Sequence, residues 1–195
     1  MNVHFDDVTN SFVRQCFTKA LKGYSPLHQH AIWLCRVQLK DMTMRAQPKV
    51  NWRFFSRKRR SYQIDIQSST RINESVNVSD LPEDVLVGWF AHELGHVMDY
   101  LNRSWPNMLR FGLGYLLFPT FRIGAERKAD IYAIEYGFAK EIMATKLFLL
   151  NESSIPNSYK DRLTRYYLTP EEVEMMVYNK EEGTVFRDRP FSFPK

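Results

Sequence analysis

The sequence predicts an α+β fold, in which a small, mostly antiparallel N-terminal sheet packs on one long helix and on further helices. Two observations predict this fold. Segments with alternating apolar and polar residues lie between residues 32 and 78, whereas residues 80–150 carry the spacing of helices. Such a separation of strands and helices along the chain favours α+β over α/β. The chain has 195 residues, of which 44% are hydrophobic, so we expect one domain over residues 1–195.

The N-terminal third is expected to supply one helix and the first strands. Residues 6–22 place apolar side chains at helical spacing and are followed by Gly23, which predicts an amphipathic helix. Residues 32–40 alternate with a period of two, which predicts a strand and leaves a helix as the alternative. Residues 50–55 and 62–66 alternate in the same way, and each predicts a further strand.

A basic run, SRKRRS at residues 56–61, separates the last two of these segments. The arrangement predicts a β-hairpin with a basic tip. A run of charges at such a tip is expected to be solvated, with contact to nucleic acid or acidic lipid as the alternative. A third short strand is expected around residues 75–78.

The second half of the chain is expected to be helical over residues 80–150, with short breaks at Trp105–Pro106 and at Pro119. A last helix is expected over residues 170–179. It is predicted by the capping-box spacing of residues 169–172, which place a threonine and a glutamate three positions apart.

The motif HELGH lies inside the first predicted helix of this half. Histidines at i and i+4 lie on one helix face, so His92 and His96 can bind the same Zn²⁺. Glu93 lies beside them, where it can act on a metal-bound water. Chance produces the motif in roughly one of a hundred such chains. The alternative is therefore an ordinary buried helix in which both histidines have hydrogen-bond partners.

A catalytic zinc needs a third protein ligand, and no histidine follows His96. The best candidate is Glu126 in the segment GAERKADIYAIEYG, where small residues allow a close approach to the motif helix. Asp130, one turn further, can accept a hydrogen bond from a liganding imidazole. Glu135 and Glu141 are weaker candidates, and an ordinary charged helix face is the alternative to any site here.

HELGH followed by ExxAD resembles the gluzincin zinc metallopeptidases. The Glu-x-x-x-Asp pattern is similar to that of the HtpX and CAAX-prenyl-protease family, and the short gap between the motifs to that of ImmA/IrrE-type peptidases. The expected strand before the motif helix is similar to that of SprT-like minimal zincins. The resemblance covers about residues 75–140 and implies a zincin-like fold with Zn²⁺ as cofactor. It implies His92, His96 and Glu126 as ligands, Glu93 as general base and Asp130 as their support.

The leading hypothesis is therefore a zinc metallopeptidase that hydrolyses a peptide or protein substrate with Glu93 as general base. The alternatives are a zinc-binding regulator or latent protein without proteolysis, and an interaction protein with a chance motif. An oxyanion formed in the reaction needs hydrogen-bond donors, which the sequence does not single out. The candidates are Tyr132, Tyr136, Tyr166, Tyr167, Arg162 and Arg165.

Composition limits the partners and the compartment. A net charge of +5 is too small to indicate nucleic-acid binding by itself. Two cysteines are too few for a disulfide framework, and the N-terminus lacks the pattern of a secretory signal, so a cytoplasmic protein is expected. Residues 108–121 form the most apolar stretch, which falls short of the ~20 residues of a spanning helix. We expect a buried or half-buried helix there, with membrane contact as the alternative.

Overall fold

Four short strands form a mixed sheet in the N-terminal part of the chain. The computed structural model describes residues 1–39, 42–67, 77–152 and 154–182. The strands are β1 (Asn2–Asp6), β2 (Ala31–Val37), β3 (Met44–Pro48) and β4 (Tyr62–Gln67). They lie in the order β1-β2-β4-β3. β2 is parallel to β1 and to β4, whereas β3 is antiparallel to β4.

The α+β class is confirmed, but the expectation of a mostly antiparallel sheet is wrong. Two of the three strand pairings are parallel, and Leu34 of β2 pairs with Phe5 on one side and Ile64 on the other. Parallel neighbours need a crossover connection, and the helix α1 (Ser11–Gly23) lies in the connection from β1 to β2. The prediction failed because β1 was not recognised as a strand.

α1 is shorter than the helix predicted over residues 6–22. It begins after Asn10, whose side chain accepts a hydrogen bond of 3.0 Å from the backbone N–H of Val13. Asparagine is a favoured residue at this position, since it satisfies an amide that the helix leaves unpaired. Phe17 and Leu21 lie on the buried face of α1, as the apolar spacing predicted.

The predicted hairpin is wrong in its first strand. Residues 52–55 form a short 3₁₀ helix, and the antiparallel partner of β4 is β3, which precedes them in the sequence. The alternation was misleading because Phe54 is buried while its neighbours Trp52 and Phe55 are exposed. Of the strand expected around residues 75–78, residues 75–76 lie outside the described part of the chain, and a short 3₁₀ helix begins at Val78.

The helical half begins with a long helix and follows the predicted breaks. The helices are α2 (Glu83–Leu101), α3 (Trp105–Leu117), α4 (Pro119–Glu135), α5 (Ala139–Asn151), α6 (Asn157–Tyr166) and α7 (Pro170–Glu181). Prolines stand in the first turns of α3 and α4, where their missing N–H groups cost no hydrogen bond. The predicted capping box of Thr169 and Glu172 opens α7, and α6 was not predicted.

α2 lies between the sheet and the other helices and is buried from Val85 to Tyr100. Two glycines bring its backbone against its neighbours. A Cβ atom at Gly95 would lie 2.3 Å from the carbonyl oxygen of Ala129 on α4, and one at Gly88 would lie 2.1 Å from that of Glu141 on α5. The HELGH motif therefore faces α4 at backbone contact distance.

The basic run is exposed in its first cationic residues and buried at its last one. Its residues 57–59 are exposed, as expected of a solvated segment, but Arg60 is buried. The guanidinium of Arg60 donates hydrogen bonds of 3.1 Å to the carbonyl oxygens of Tyr100 and Arg103, at the C-terminal end of α2. A cation at this end satisfies carbonyls that the helix leaves unpaired and is favoured by the helix dipole.

Candidate metal centre

Three predicted ligands meet in one buried cluster. His92 and His96 stand one turn apart on α2, and Glu126 faces them from α4. Oε2 of Glu126 lies 3.1 Å from Nε2 of His92 and 3.3 Å from Nε2 of His96. The potential ligand atoms of the three residues all lie within 4.8 Å of one another, and the group could hold a metal ion.

The donor set and its spacing fit zinc. Two ligand atoms bonded to a tetrahedral Zn²⁺ at ~2.05 Å are separated by roughly 3.3 Å, which matches the two distances from Glu126 to the imidazoles. Two histidines and one glutamate form a set that occurs at catalytic zinc sites, where the fourth position is left for water or substrate.

Asp130 occupies the supporting position that the sequence predicted. Its Oδ1 lies 2.9 Å from Nδ1 of His92. Because a carboxylate only accepts hydrogen bonds, this contact places a proton on Nδ1 and directs Nε2 towards Glu126. The other oxygen of Asp130 accepts bonds from Nζ of Lys146 at 2.7 Å and from the backbone N–H of Leu168 at 3.0 Å.

Two residues of the cluster were missed by sequence reasoning. Lys146 stands on α5 and is buried, although it was part of an apolar run with no apparent partner. Tyr115 stands on α3 and donates a hydrogen bond from its hydroxyl to Oε1 of Glu126. A lysine inside an apolar helical run was the one available signal, since it implies a buried partner carboxylate. The tyrosine gave none.

The charges of the cluster call for a cation. Glu93, Glu126 and Asp130 are buried carboxylates, and Lys146 is the one buried ammonium group that contacts them among the described residues. With neutral imidazoles and all three carboxylates ionised, this leaves an excess of two negative charges. Burial lowers the pKa of His92, but the hydrogen bonds that its ring donates to Asp130 and Glu126 outweigh this effect and raise the pKa to about 10. The proton on His92 therefore supplies positive charge to the cluster, which a bound divalent cation would supply instead.

Glu93 faces a small pocket beside the ligands. The pocket has a volume of about 100 Å³ and is lined by His92, Glu93 and residues 42–44, which lead into β3. Burial raises the pKa of Glu93, the two imidazoles lower it, and the backbone of Ala46 on β3 hydrogen-bonds to its carboxylate. A raised pKa in a general base strengthens its affinity for a proton at neutral pH.

The structure separates the candidates for oxyanion stabilisation. Tyr167 and Arg162 line the pocket together with His92, and Tyr159, which the sequence did not suggest, lies beside them. The ring of Tyr167 is 5.3 Å from that of His92. The other candidates lie elsewhere: Tyr136 stacks on Tyr24, Tyr132 bonds to Asn102, and Arg165 lies over Tyr166.

The weaker ligand candidates are not in the cluster. Glu135 is exposed at the end of α4, and Glu141 stands in the first turn of α5.

Comparison with known protein families, with curated proteins and with solved structures finds no match to this chain. The interpretation of the site therefore depends on its own geometry and chemistry.

Proposed function

We propose that this chain is a zinc metallopeptidase of the zincin type, with His92, His96 and Glu126 as ligands. The observation that carries the proposal is the position of Glu93, a buried carboxylate adjacent in sequence to a ligand and facing the same pocket. A purely structural metal site has no need of a further carboxylate at its edge. Structural zinc sites are usually closed by four protein ligands, whereas this group offers three.

Each residue of the cluster has a defined role in this proposal. Bound zinc supplies Lewis acidity and lowers the pKa of a water molecule in its open position. Glu93 accepts the proton of the attacking water and passes it to the leaving amine nitrogen. Asp130 and Lys146 hold the imidazole of His92 in one tautomer and orientation. Tyr167 and Arg162, which line the pocket, would donate hydrogen bonds to the oxyanion.

The substrate would bind in an extended form along β3. β3 is an edge strand, and within the described residues its backbone pairs with β4 on one side. An extended peptide can add to such an edge through backbone hydrogen bonds. The backbone of Ala46 already bonds to Glu93 and to the hydroxyl of Tyr100, so a peptide would add to β3 beside this residue and next to the general base.

The small pocket favours a second candidate function, a zinc-binding protein without proteolysis. A volume of about 100 Å³ has room for several water molecules, and it is smaller than the roughly 300–1,000 Å³ of typical ligand pockets. A latent peptidase would need Tyr159 and Arg162 to move before a substrate could enter. The two functions predict the same zinc content and differ in whether peptide hydrolysis occurs.

The test compares Glu93→Gln with Glu135→Gln, which makes the same chemical change on the exposed end of α4. Zinc content, thermal unfolding and hydrolysis of casein and of a peptide library are measured for both and for the wild type. We expect Glu93→Gln to retain zinc and fold while losing activity by ~10²–10⁴, the contribution of a general base. Glu135→Gln is expected to behave as the wild type.

Three other outcomes are informative. If Glu93→Gln cleaves a wild-type substrate at the wild-type rate, the proposed mechanism is wrong. If the wild type binds zinc and cleaves none of the peptides, the second candidate is favoured. If the wild type binds no zinc, the motif is a coincidence and an interaction protein becomes the better interpretation.

A further inference from the structure

One face of α3 is both apolar and exposed. The side chains that form it stand at intervals of four, four and three residues, so they share one side of the helix. They are Trp105, Leu109, Leu113 and Leu116, with exposed fractions of 43, 54, 59 and 72%. The opposite side of α3 is buried at Met108 and Phe111. One side of α3 therefore packs against the protein, and the other side is exposed although it is also apolar.

The exposed face continues onto the 3₁₀ helix that follows β3. The ring of Phe55 lies 5.6 Å from that of Trp105, and Trp52 in the same turn is 67% exposed. We call the set Trp52, Phe55, Trp105, Leu109, Leu113 and Leu116 the α3 patch. Single exposed apolar residues are ordinary on a protein surface, but a continuous group of this kind marks a binding surface.

The chain around the α3 patch carries positive charge alone. All 22 acidic residues lie outside residues 49–60 and 102–122, the two segments that contain the patch. Exposed cations stand in both segments: Arg53, Arg57, Lys58, Arg59 and Arg110. The guanidinium of Arg53 lies 5.2 Å from the ring of Trp52, so cation and aromatic group are adjacent.

We propose that the α3 patch docks on the surface of an anionic lipid bilayer. Exposed tryptophan, phenylalanine and leucine side chains with neighbouring arginines and lysines are the composition of an interfacial helix. The 13 residues of α3 extend ~20 Å, less than the ~30 Å of a hydrocarbon core, so the helix would lie in the interface. Among the described helices, none combines the length and apolarity needed to cross a bilayer.

A second copy of the chain fits the α3 patch less well than a bilayer does. A symmetric dimer through this surface would bring the two sets of arginines and lysines together, and the segments that form the patch contain no carboxylate to separate them. Anionic headgroups supply the missing negative charge, and the acyl chains supply the apolar medium for the leucines. The proposal rests on exposed residues and is independent of the metal centre and of peptidase activity.

The first test is sedimentation with vesicles of phosphatidylcholine, with and without phosphatidylserine. We expect the wild type to sediment with the anionic vesicles and to remain in solution with the neutral ones. Leu113→Gln is expected to weaken binding by roughly tenfold or more, because a polar side chain replaces a leucine that would enter the interface. The matched control is Met175→Gln on α7, which is equally exposed at 64% and should bind as the wild type.

The second test removes charge. The double variant Lys58→Gln and Arg59→Gln is expected to bind anionic vesicles roughly 30-fold more weakly, because each of the two cations contributes ~1 kcal/mol near the surface and 1.4 kcal/mol corresponds to a factor of ten. The control, Lys22→Gln with Lys140→Gln, removes two exposed charges from α1 and α5. Equal binding by patch and control variants, or no preference for anionic vesicles, would overturn the proposal. If the wild type binds neither kind of vesicle and dimerises in solution, the proposal is overturned, and a second copy of the chain becomes the occupant of the α3 patch.

Discussion

The candidate metal centre buries polar residues that usually lie on the surface, whereas the α3 patch exposes apolar residues that usually lie in the core. The cluster buries carboxylates, imidazoles and an ammonium group, whereas the patch exposes tryptophan, phenylalanine and leucine. α3 contributes to both, because Tyr115 bonds to Glu126 while Leu113, two residues earlier, faces solvent. Burying the charged groups costs folding free energy, whereas the exposed apolar side chains forgo the gain that burial would give. We therefore propose a bound cation for the cluster and a lipid interface for the patch.

The largest expected effect is the loss of metal from the cluster. The wild type should bind about one zinc per chain, and His96→Ala should bind none after dialysis, because two remaining ligands hold zinc far more weakly than three. Glu126→Gln should lose less, since its amide oxygen can still coordinate. Elemental analysis of the purified proteins measures both effects.

His4→Ala is the matched control for the zinc measurement. His4 stacks on Trp33 in the sheet and lies outside the cluster, so its removal should leave the zinc content unchanged. Equal zinc in His96→Ala and the wild type would contradict the site. A loss of zinc in His4→Ala would show that the measurement reports folding rather than ligation.

The common face of His92 and His96 was predictable because their spacing is local, whereas Glu126 lies 34 and 30 residues away. The i, i+4 spacing of His92 and His96 fixes their common face once the segment is helical, and Glu126 was the first suitable acidic residue on the next charged helix. Lys146 and Tyr115 were not predictable, because their positions depend on how α5 and α3 pack against α4. No spacing within the sequence encodes such a packing.

The sheet was less predictable than the helices. β1 has five residues, and the helical spacing that begins near Val8 was extended backwards towards it. The order β1-β2-β4-β3 depends on pairings between residues about 30 positions apart, such as Phe5 with Leu34. Alternation over residues 50–55 predicted a strand where an exposed aromatic surface stands instead. Trp52 and Phe55 belong to the α3 patch, whereas Phe54 packs in the core, and alternation alone does not distinguish the two environments.

Two glycine substitutions, one on α2 and one on α3, compare the packing of the two regions through their effects on stability. Gly95→Ala in the cluster should lower the free energy of unfolding by about 3 kcal/mol, because its Cβ would meet the backbone of Ala129 at 2.3 Å. Gly112→Ala on α3 meets nothing within 4 Å and should raise it by ~0.5–1 kcal/mol, the helix propensity of alanine. Urea unfolding of both variants measures the difference, and a similar effect of both substitutions would contradict the close contact of α2 with α4.

Tyr115→Phe tests the connection between the two regions. The hydroxyl donates to Oε1 of Glu126 and orients the carboxylate, so its removal should weaken zinc binding by about tenfold, the lower range for a supporting contact. Competition with a chromophoric chelator measures the affinity. Tyr132→Phe removes a hydroxyl that contacts Asn102 instead and should have no effect. An unchanged affinity in Tyr115→Phe would separate α3 from the metal centre.

The smallest expected effect concerns the α3 patch itself and is tested on one helix. Phe111→Ala removes a side chain that is 5% exposed and should lower the free energy of unfolding by ~3 kcal/mol. Leu113→Ala removes one that is 59% exposed and should change it by less than ~0.5 kcal/mol. Urea unfolding at several protein concentrations measures both. A comparable loss in Leu113→Ala would mean that the leucine is covered in solution, and a loss that grows with concentration would identify the cover as a second copy. An unchanged stability leaves the leucine free for the bilayer, because a side chain that contributes nothing to folding keeps its exposed apolar surface for binding.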